Sequence, residues 1–349
     1  MAAPKKTNGG TGDDVPARLY LIDGSGFIFR AFHSSPLDAF RRSDGVYTNA
    51  VNGYCALLMK MIDRARDDGA YDYMAVIFDA SRKNFRNDIY PEYKANRDAP
   101  PEELRPQFAL IREATVAFGL PSIELEGYEA DDLIATYARE AEAQGIETIV
   151  VSSDKDLMQL VREHVYMFDP MKDLVIGPDE VMDKFGVTPD KVVDVQSLAG
   201  DSTDNVPGVP GIGVKTAALL LDEYGDLDTL LERAGEIKQN KRRENLIEFA
   251  DLARVSRELV RLKDDVETDH KIEDFALKDP DPATVVEFLK AMEFRTLTQR
   301  VKSRFVAEGL MEESATTAAA PIAAPVDATY ELVQDEAALQ AWVDTARNA

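Results

Sequence analysis

Arg18–Asp23 reads RLYLID, residues 73–79 read YMAVIFD and residues 147–154 read ETIVVSSD. Each is an apolar run of strand length, rich in β-branched residues, and each ends in an aspartate: Asp23, Asp79 and Asp154. Helical apolar patterns lie between them, over 50–66, 102–118 and 130–144. This alternation predicts an α/β fold, a mostly parallel sheet with helices on both faces. Residues 164–169 (HVYMFD) are a fourth strand candidate. Ligands of such sheets bind beyond the carboxyl ends of the strands, so the three aspartates are expected in one crevice.

More acids arrive from neighbouring loops and helix starts: Glu129, Asp131 and Asp132 in GYEADD, Asp156 in SDKD, and Asp201 and Asp204 in GDSTDN. Singly, each has an ordinary structural role. An aspartate after a strand caps the next helix, acids favour a helix N-terminus, and GDSTDN is a natural Asx turn. Asp169, followed by proline, stays with that ordinary reading. Together, nine carboxylates converging on one crevice cannot all ionise without compensation. Oxygen-only ligands select magnesium, manganese or calcium over zinc, and His33, His164 and His270 are scattered. Two such ions about 3.5–4 Å apart would suit hydrolysis of a phosphodiester.

Two other segments point to a polyanion. Residues 205–217 (NVPGVPGIGVKTA) place Gly208, Gly211 and Gly213 before a helix starting near Val214, with Lys215 and Thr216 in its first turn. Glycines let backbone N–H groups approach a phosphate, and a helix N-terminus favours the anion. PGIGxKTA between short helices is the pattern of a helix–hairpin–helix element, which grips duplex backbone without reading sequence. No GxxxxGK[ST] phosphate loop is present. Residues 82–97 (RKNFRNDIYPEYKANR) carry five bases against two acids. These bases are Arg82, Lys83, Arg86, Lys94 and Arg97, interleaved with Phe85, Tyr90 and Tyr93. Bases for phosphates and rings for nucleobases are what single-strand binding requires. Arg86, Tyr90 and Lys94 share a helical spacing, though Pro91 must break the helix.

The wider chain sets limits. Its 349 residues allow a large core, and 45% apolar with 30% charged residues is ordinary for a soluble globular protein. No run approaches the length of a membrane span, and residues 1–17 lack a signal peptide's apolar core and read as a disordered tail. Cys55 is the only cysteine, which excludes an intrachain disulfide and fits a cytoplasmic location. It falls in a helical apolar pattern and reads as core filler. The net charge of −24 argues against nucleic acid only if charge is spread evenly, and here the bases are concentrated locally. The expected domains are a metal-binding α/β domain at 18–177 with an arch at 82–106, and a helical DNA-binding subdomain at 178–312. In the latter, helices are expected at 178–185, 189–199, 214–223, 226–233, 240–261 and 282–292. An Ala/Pro/Thr linker follows at 313–327, then a strand and helix at 328–349 that read as the truncated start of a further domain.

FDASRKNFRNDIYPEYKANR, EGYEADDLIATYAREAE, SSDKDLMQLV and GDSTDNVPGVPGIGVKTA resemble the 5′-nuclease domain of bacterial DNA polymerase I and, more broadly, the flap endonuclease superfamily. The resemblance runs in order from about Arg18 to Leu310. It implies a PIN-like sheet domain with a helix–three-turn–helix subdomain, and structure-specific cleavage of DNA at 5′ flaps, nicks and 5′ ends in replication and repair. It implies a first metal group of Asp23, Asp79, Glu129 and Asp131 with Asp132 adjacent, and a second of Asp154, Asp156 and Asp204 with Asp201 outside it. Two Mg2+ or Mn2+ ions would be bound, with K+ at the glycine turn. Arg86, Lys94 and Arg97 resemble the arch bases that steer the scissile phosphate, so they and the acids Asp23 and Asp79 are the catalytic candidates. Phe85, Tyr90, Arg82, Lys83 and the hairpin residues are DNA-binding candidates, and a monomer is expected. The last twenty or so residues resemble the start of a proofreading-type domain, and no polymerase activity is expected of this chain.

Other readings are weaker. A non-catalytic DNA-structure binder, with the acids holding calcium or magnesium structurally, would not need every motif acid. An aspartyl-nucleophile phosphatase needs a second aspartate at position 25, which is Ser25. A PIN-type ribonuclease has no use for the duplex-gripping turn.

Overall fold

A computed structural model describes residues 16–67 and 72–312, with Gln340, Val343 and Asp344. The first half of the chain runs β1 (Arg18–Asp23), α1 (Gly24–Ser34), α2 (Asn49–Asp67), β2 (Tyr73–Ile77), α3 (Arg86–Ile89), α4 (Arg105–Ala117), β3 (Ser122–Ile123), α5 (Ala130–Ala143), β4 (Glu147–Val151), β5 (Val165–Asp169) and β6 (Leu174–Ile176). Helices follow: α6 (Pro178–Phe185), α7 (Val192–Ala199), α8 (Val214–Tyr224), α9 (Leu227–Glu232), α10 (Asn240–Glu248), α11 (Ala250–Val260), α12 (Pro282–Ala291) and α13 (Arg295–Ala307). Two compact units result, Met1–Lys302 and Ser303–Ala349. In the second, Gln340 Nε2 donates to Asp344 at 2.9 Å. Residues 1–15 of the tail expected at 1–17, the linker, and the rest of the expected last domain lie outside the described residues, while the Ala17 carbonyl accepts the Glu147 N–H at 2.9 Å beside the sheet.

The sheet order is β3-β2-β1-β4-β5-β6, with every pairing parallel except β5–β6. β1 is central, so both its faces are covered and all six of its residues are buried. That is why RLYLID is apolar without alternation. The chain moves outward from β1 through β2 to β3, then returns to β1's other side at β4. The carboxyl ends of β1 and β4 therefore flank the point where strand order reverses. One apolar core runs from Leu19 and Leu21 of β1 through Ile134 and Tyr137 of α5 to Leu221 of α8 and Phe275. Sheet and helical region are thus packed on shared side chains.

The structure departs from the sequence pattern by adding β3, β6 and α13, and in three further features that bear on the site. α1 is an addition, hidden by its glycine-rich start and capped by Asp23, whose Oδ1 accepts the Gly26 N–H at 2.8 Å. The run 240–261 is two helices meeting at Phe249, where φ −105° and ψ 20° leave helical geometry. The arch segment is not a long helix. α3 is a single turn ending two residues before Pro91, and Lys94 has a left-handed φ of 56°.

The glycine hairpin also divides the roles of its glycines. Gly200 (φ 70°) and Gly208 (φ 62°) cross backbone to backbone, and a Cβ on Gly208 would lie 2.4 Å from Gly200 N. The Gly208 N–H donates to Ser256 Oγ at 3.0 Å, so it is committed to α11 and is not open to a phosphate, contrary to the expectation from sequence that it belongs to the phosphate-gripping turn. Gly211 and Gly213 are exposed, and a Cβ on Gly213 would meet nothing within 4 Å. Gly208→Ala is therefore expected to cost about 2–4 kcal/mol through overlap and a disfavoured φ. Gly213→Ala should cost no more than about 1 kcal/mol. Urea unfolding of both variants checks this, and equal costs would contradict the assignment.

Candidate active site

Seven of the nine expected acids line one cavity of about 160 Å3 at the carboxyl ends of the strands: Asp23, Asp79, Glu129, Asp131, Asp154, Asp156 and Asp204. The topology explains the gathering. Asp23 ends β1, Asp79 follows β2, and Asp154 and Asp156 follow β4. Glu129 is the N-cap residue of α5 and Asp131 lies in its first turn. Asp204 comes from the loop between α7 and the hairpin.

Each side chain is held differently. Asp23 Oδ2 accepts from Ser152 Oγ at 2.8 Å while its other oxygen caps α1. Asp79 Oδ1 accepts the Ala130 N–H at 2.8 Å, tying β2 to the start of α5. Glu129 takes Asn84 Nδ2 at 2.9 Å, Tyr93 OH at 3.1 Å and Lys94 Nζ at 2.5 Å. Asp156 takes Gln196 Nε2 at 2.5 Å, and Asp154 Oδ1 takes the Asp156 N–H at 2.9 Å. Asp204 is paired with Arg97, and Lys94 Nζ stands 3.5 Å from it. Asp131 accepts no hydrogen bond from any described residue.

Burial and mutual repulsion show in the acidities. Burial pushes the Asp23 carboxyl up to about 6, against hydrogen bonds from Gly26 and Ser152, and the charges of Asp79 and Asp154 push the same way. Burial and Asp154 raise Asp156 to about 6 despite Lys155 and Gln196. Asp131 is raised well above the usual range by burial and by Asp154, Asp23 and Glu129. Burial would raise Glu129 too, but Lys94 and Arg86 hold it below its ordinary value.

These residues fit hard divalent cations. The cavity is lined by carboxylates with no histidine or cysteine, and seven acids face three bases, Arg86, Lys94 and Arg97. Among the described residues, no three acids already stand as a closed coordination cage. Glu129, Asp156 and Asp204 are turned instead to the lysine, arginine and amide partners named above, and Asp23 and Asp79 to a hydroxyl and backbone N–H groups.

Asp132 and Asp201 do not line this cavity. Asp201 is paired with Lys155 and accepts the Thr203 N–H at 2.7 Å, and it closes the 201–206 turn. Asp132 is fully buried and forms a two-pronged pair with Arg86, both contacts at 2.7 Å. Arg86, expected to reach for phosphate from the arch, is only 1% exposed, because a guanidinium in a dry site needs a carboxylate to share its charge. Two of the expected stacking rings are likewise committed. Phe85 lies under the Arg86 guanidinium at 4.5 Å and beside Tyr128, and Tyr90 packs on the cluster of Val206, Leu259 and Val260. Arg82 and Lys83 remain exposed, as do Lys215 and, in part, Thr216.

Several residues escaped the sequence reading: Ser25, which accepts the Asp79 N–H at 3.0 Å, Ser152, Asn84, Gln196, and Phe29, which is 42% exposed at the cavity wall. Short polar side chains carry no periodic signal. For Ser25 and Ser152 the one available clue was their place within two residues of a motif aspartate.

The acidities yield a test. An acid whose folded value lies above its unfolded one destabilises the fold progressively as pH rises from about 4 to about 6, and by a constant amount above that. In chelator, Asp23→Asn should therefore stabilise the protein at pH 8 by about 1–3 kcal/mol and leave it nearly unchanged at pH 4. Urea unfolding at the two pH values measures this, and an equal effect at both would contradict a raised Asp23.

Comparison with known proteins bears on what this arrangement is. The family model "5'-3' exonuclease, N-terminal resolvase-like domain" matches residues 18–186, and "5'-3' exonuclease, C-terminal SAM fold" matches residues 187–283. DNA polymerase I of Rhizobium leguminosarum is 59% identical over 286 residues, which are 81% of this chain and 28% of that protein. The chain thus spans less than a third of that relative's length. The 5'-3' exonuclease of Aquifex aeolicus is 36% identical over 287 residues, covering 82% of this chain and 96% of that protein. Among solved structures, T5 5'-exonuclease with bound zinc superposes with a TM-score of 0.58 at 20% identity, over 83% of this chain and 98% of that one. The catalytic core of Rad2 in complex with DNA substrate gives 0.55 at 14% identity, over 84% and 92%. These two likenesses concern the fold. The sheet topology, the cavity at its switch point and the two consecutive family matches lead to one conclusion: the chain belongs to the 5′-3′ exonuclease family.

Proposed function

We propose that the chain is a divalent-metal-dependent 5′-nuclease that hydrolyses DNA phosphodiesters at 5′ flaps, nicks and 5′ ends. It would act as the N-terminal part of a DNA polymerase I, in Okazaki-fragment maturation and repair. The observation that carries the reading is the single cavity in which seven carboxylates meet Lys94 and Arg97. Asp23, Asp79, Glu129 and Asp131 would hold one ion, and Asp154, Asp156 and Asp204 a second, with magnesium or manganese as the metal. The ions would supply Lewis acidity toward the scissile phosphate and toward the attacking water. A potassium ion at the hairpin belongs to the same proposal.

The chain's own groups supply position. Exposed Gly211, Gly213 and Lys215 lie at the start of α8, where backbone N–H groups and the helix dipole suit a duplex phosphate. A second groove of about 540 Å3 adjoins the acidic cavity, sharing Phe29, Lys94 and Arg97 and continuing past Arg82 and Phe108. Its mixture of bases and rings fits a single-stranded 5′ end. Lys94 and Arg97 stand where that groove meets the acids, so phosphate oxygens would compete with Glu129 and Asp204 for them.

Asp154→Asn tests the reading by flap cleavage. The variant should lose at least about 100-fold in turnover at saturating magnesium while binding flap DNA within a few-fold of the parent. Near-normal turnover would overturn the role of that residue. Binding should also weaken steeply with salt, by about 0.9 log units per decade for each duplex phosphate gripped. A flat salt dependence would contradict backbone gripping.

A further inference from the structure

Arg86 and Asp132 connect three parts of the chain that no motif relates. Besides its two-pronged contact with Asp132, Arg86 donates from Nε to Leu259 O at 2.7 Å and from Nη2 to Arg261 O at 3.1 Å. Asp132 also accepts the Lys263 N–H at 2.9 Å and the Glu129 N–H at 3.1 Å. The pair thus binds the start of the arch segment, the start of α5 and the exit of α11. Each of those parts leads to a functional surface. Glu129 places its carboxylate in the acidic cavity. α11 holds the hairpin through Ser256 and Gly208.

A buried ion pair is a poor source of net stability, because desolvation offsets its attraction and apolar residues of similar volume often serve as well. What it adds is orientation. A guanidinium and a carboxylate meet in one plane, with fixed directions for the remaining donors and acceptors. Here those directions are filled by backbone groups of Leu259, Arg261, Lys263 and Glu129. Asp132 has no free oxygen turned to the cavity and is not among its lining residues.

We infer that Arg86 and Asp132 are positioning residues that fix the distance between the hairpin and the acidic cavity, and so choose which phosphodiester is cut. This inference rests on the nuclease reading above, in which the hairpin holds duplex and the cavity hydrolyses. An error of about 1 Å in such a distance can cost about 100-fold in rate, and it shifts which bond is presented.

The test compares the parent with Asp132→Asn, Arg86→Lys and the apolar double variant Arg86→Met/Asp132→Leu. The double variant guards against a single substitution that fails to fold by stranding a buried charge. Four readouts are taken: product positions on a 5′-labelled flap at single-nucleotide resolution, kcat and KM, duplex affinity in chelator, and Mn2+ binding by calorimetry without DNA. The expected result is cleavage spread over neighbouring bonds and kcat reduced by about 30–100-fold, with duplex affinity and Mn2+ affinity each within about 3-fold of the parent. Arg86→Lys should fall between parent and Asp132→Asn, because it keeps the charge and loses the second prong. A loss of Mn2+ affinity of about 10-fold or more in Asp132→Asn, with the cleavage position unchanged, would overturn the inference in favour of a metal ligand. A folded double variant cutting the parental bond at the parental rate would overturn it in favour of a purely structural pair. A parent protein that leaves every flap uncut would instead sink the nuclease reading, a failure separable from these.

Discussion

Carboxylates in a common crevice repel, and the molecule is arranged around that repulsion. At an effective dielectric of about 20, two such charges about 6 Å apart cost about 3 kcal/mol, so seven cannot be left to one another. The fold answers with cations from elsewhere in sequence. Lys94 lies against Glu129 and Asp204, Arg97 against Asp204, and Arg86 near Glu129. Lys94's ammonium, which burial alone would destabilise, is held charged by Glu129. The basic strap and the acidic crevice are thus one electrostatic object. Any cation or phosphate that enters must exchange partners with it.

Topology makes this economical. A parallel sheet whose order reverses beside its central strand delivers several strand ends to one edge without long loops. Asp23 shows how ordinary structure and site chemistry share a residue. One oxygen caps α1, as any aspartate there would, and the other is turned to Ser152 across the crevice. Reading such a residue as either a cap or a site residue sets up a false choice.

Much of this was legible in the sequence. RLYLID, YMAVIFD and ETIVVSSD named three strands because fully buried parallel strands need unbroken apolar runs. The acids at their ends followed from the same pattern. Legibility failed where function-like chemistry was recruited for packing. Arg86, Phe85 and Tyr90 look like a nucleic-acid surface by composition, yet their partners are Asp132, Tyr128 and Leu259, far away in sequence. Asp132 was indistinguishable from Asp131 on the page. Only the α5 register separates them, turning one to the crevice and the other inward to Arg86. α1 and the short β3 and β6 were missed because glycines and two- or three-residue strands leave no period to detect.

Arg86 reaches backbone carbonyls 173 and 175 residues further along the chain. At synthesis rates of about 5–20 residues per second, that gap is about 10–35 s on the ribosome. For that interval the nascent polypeptide carries the strap and the first acids with their final anchor still unmade. The contacts of Arg86 and Asp132 with Leu259, Arg261 and Lys263 can close only once that stretch has emerged. The anchoring of Arg86 and Asp132 beside the acidic cavity is thereby postponed until the end of α11 has been made, so a half-made polypeptide lacks that part of the finished crevice.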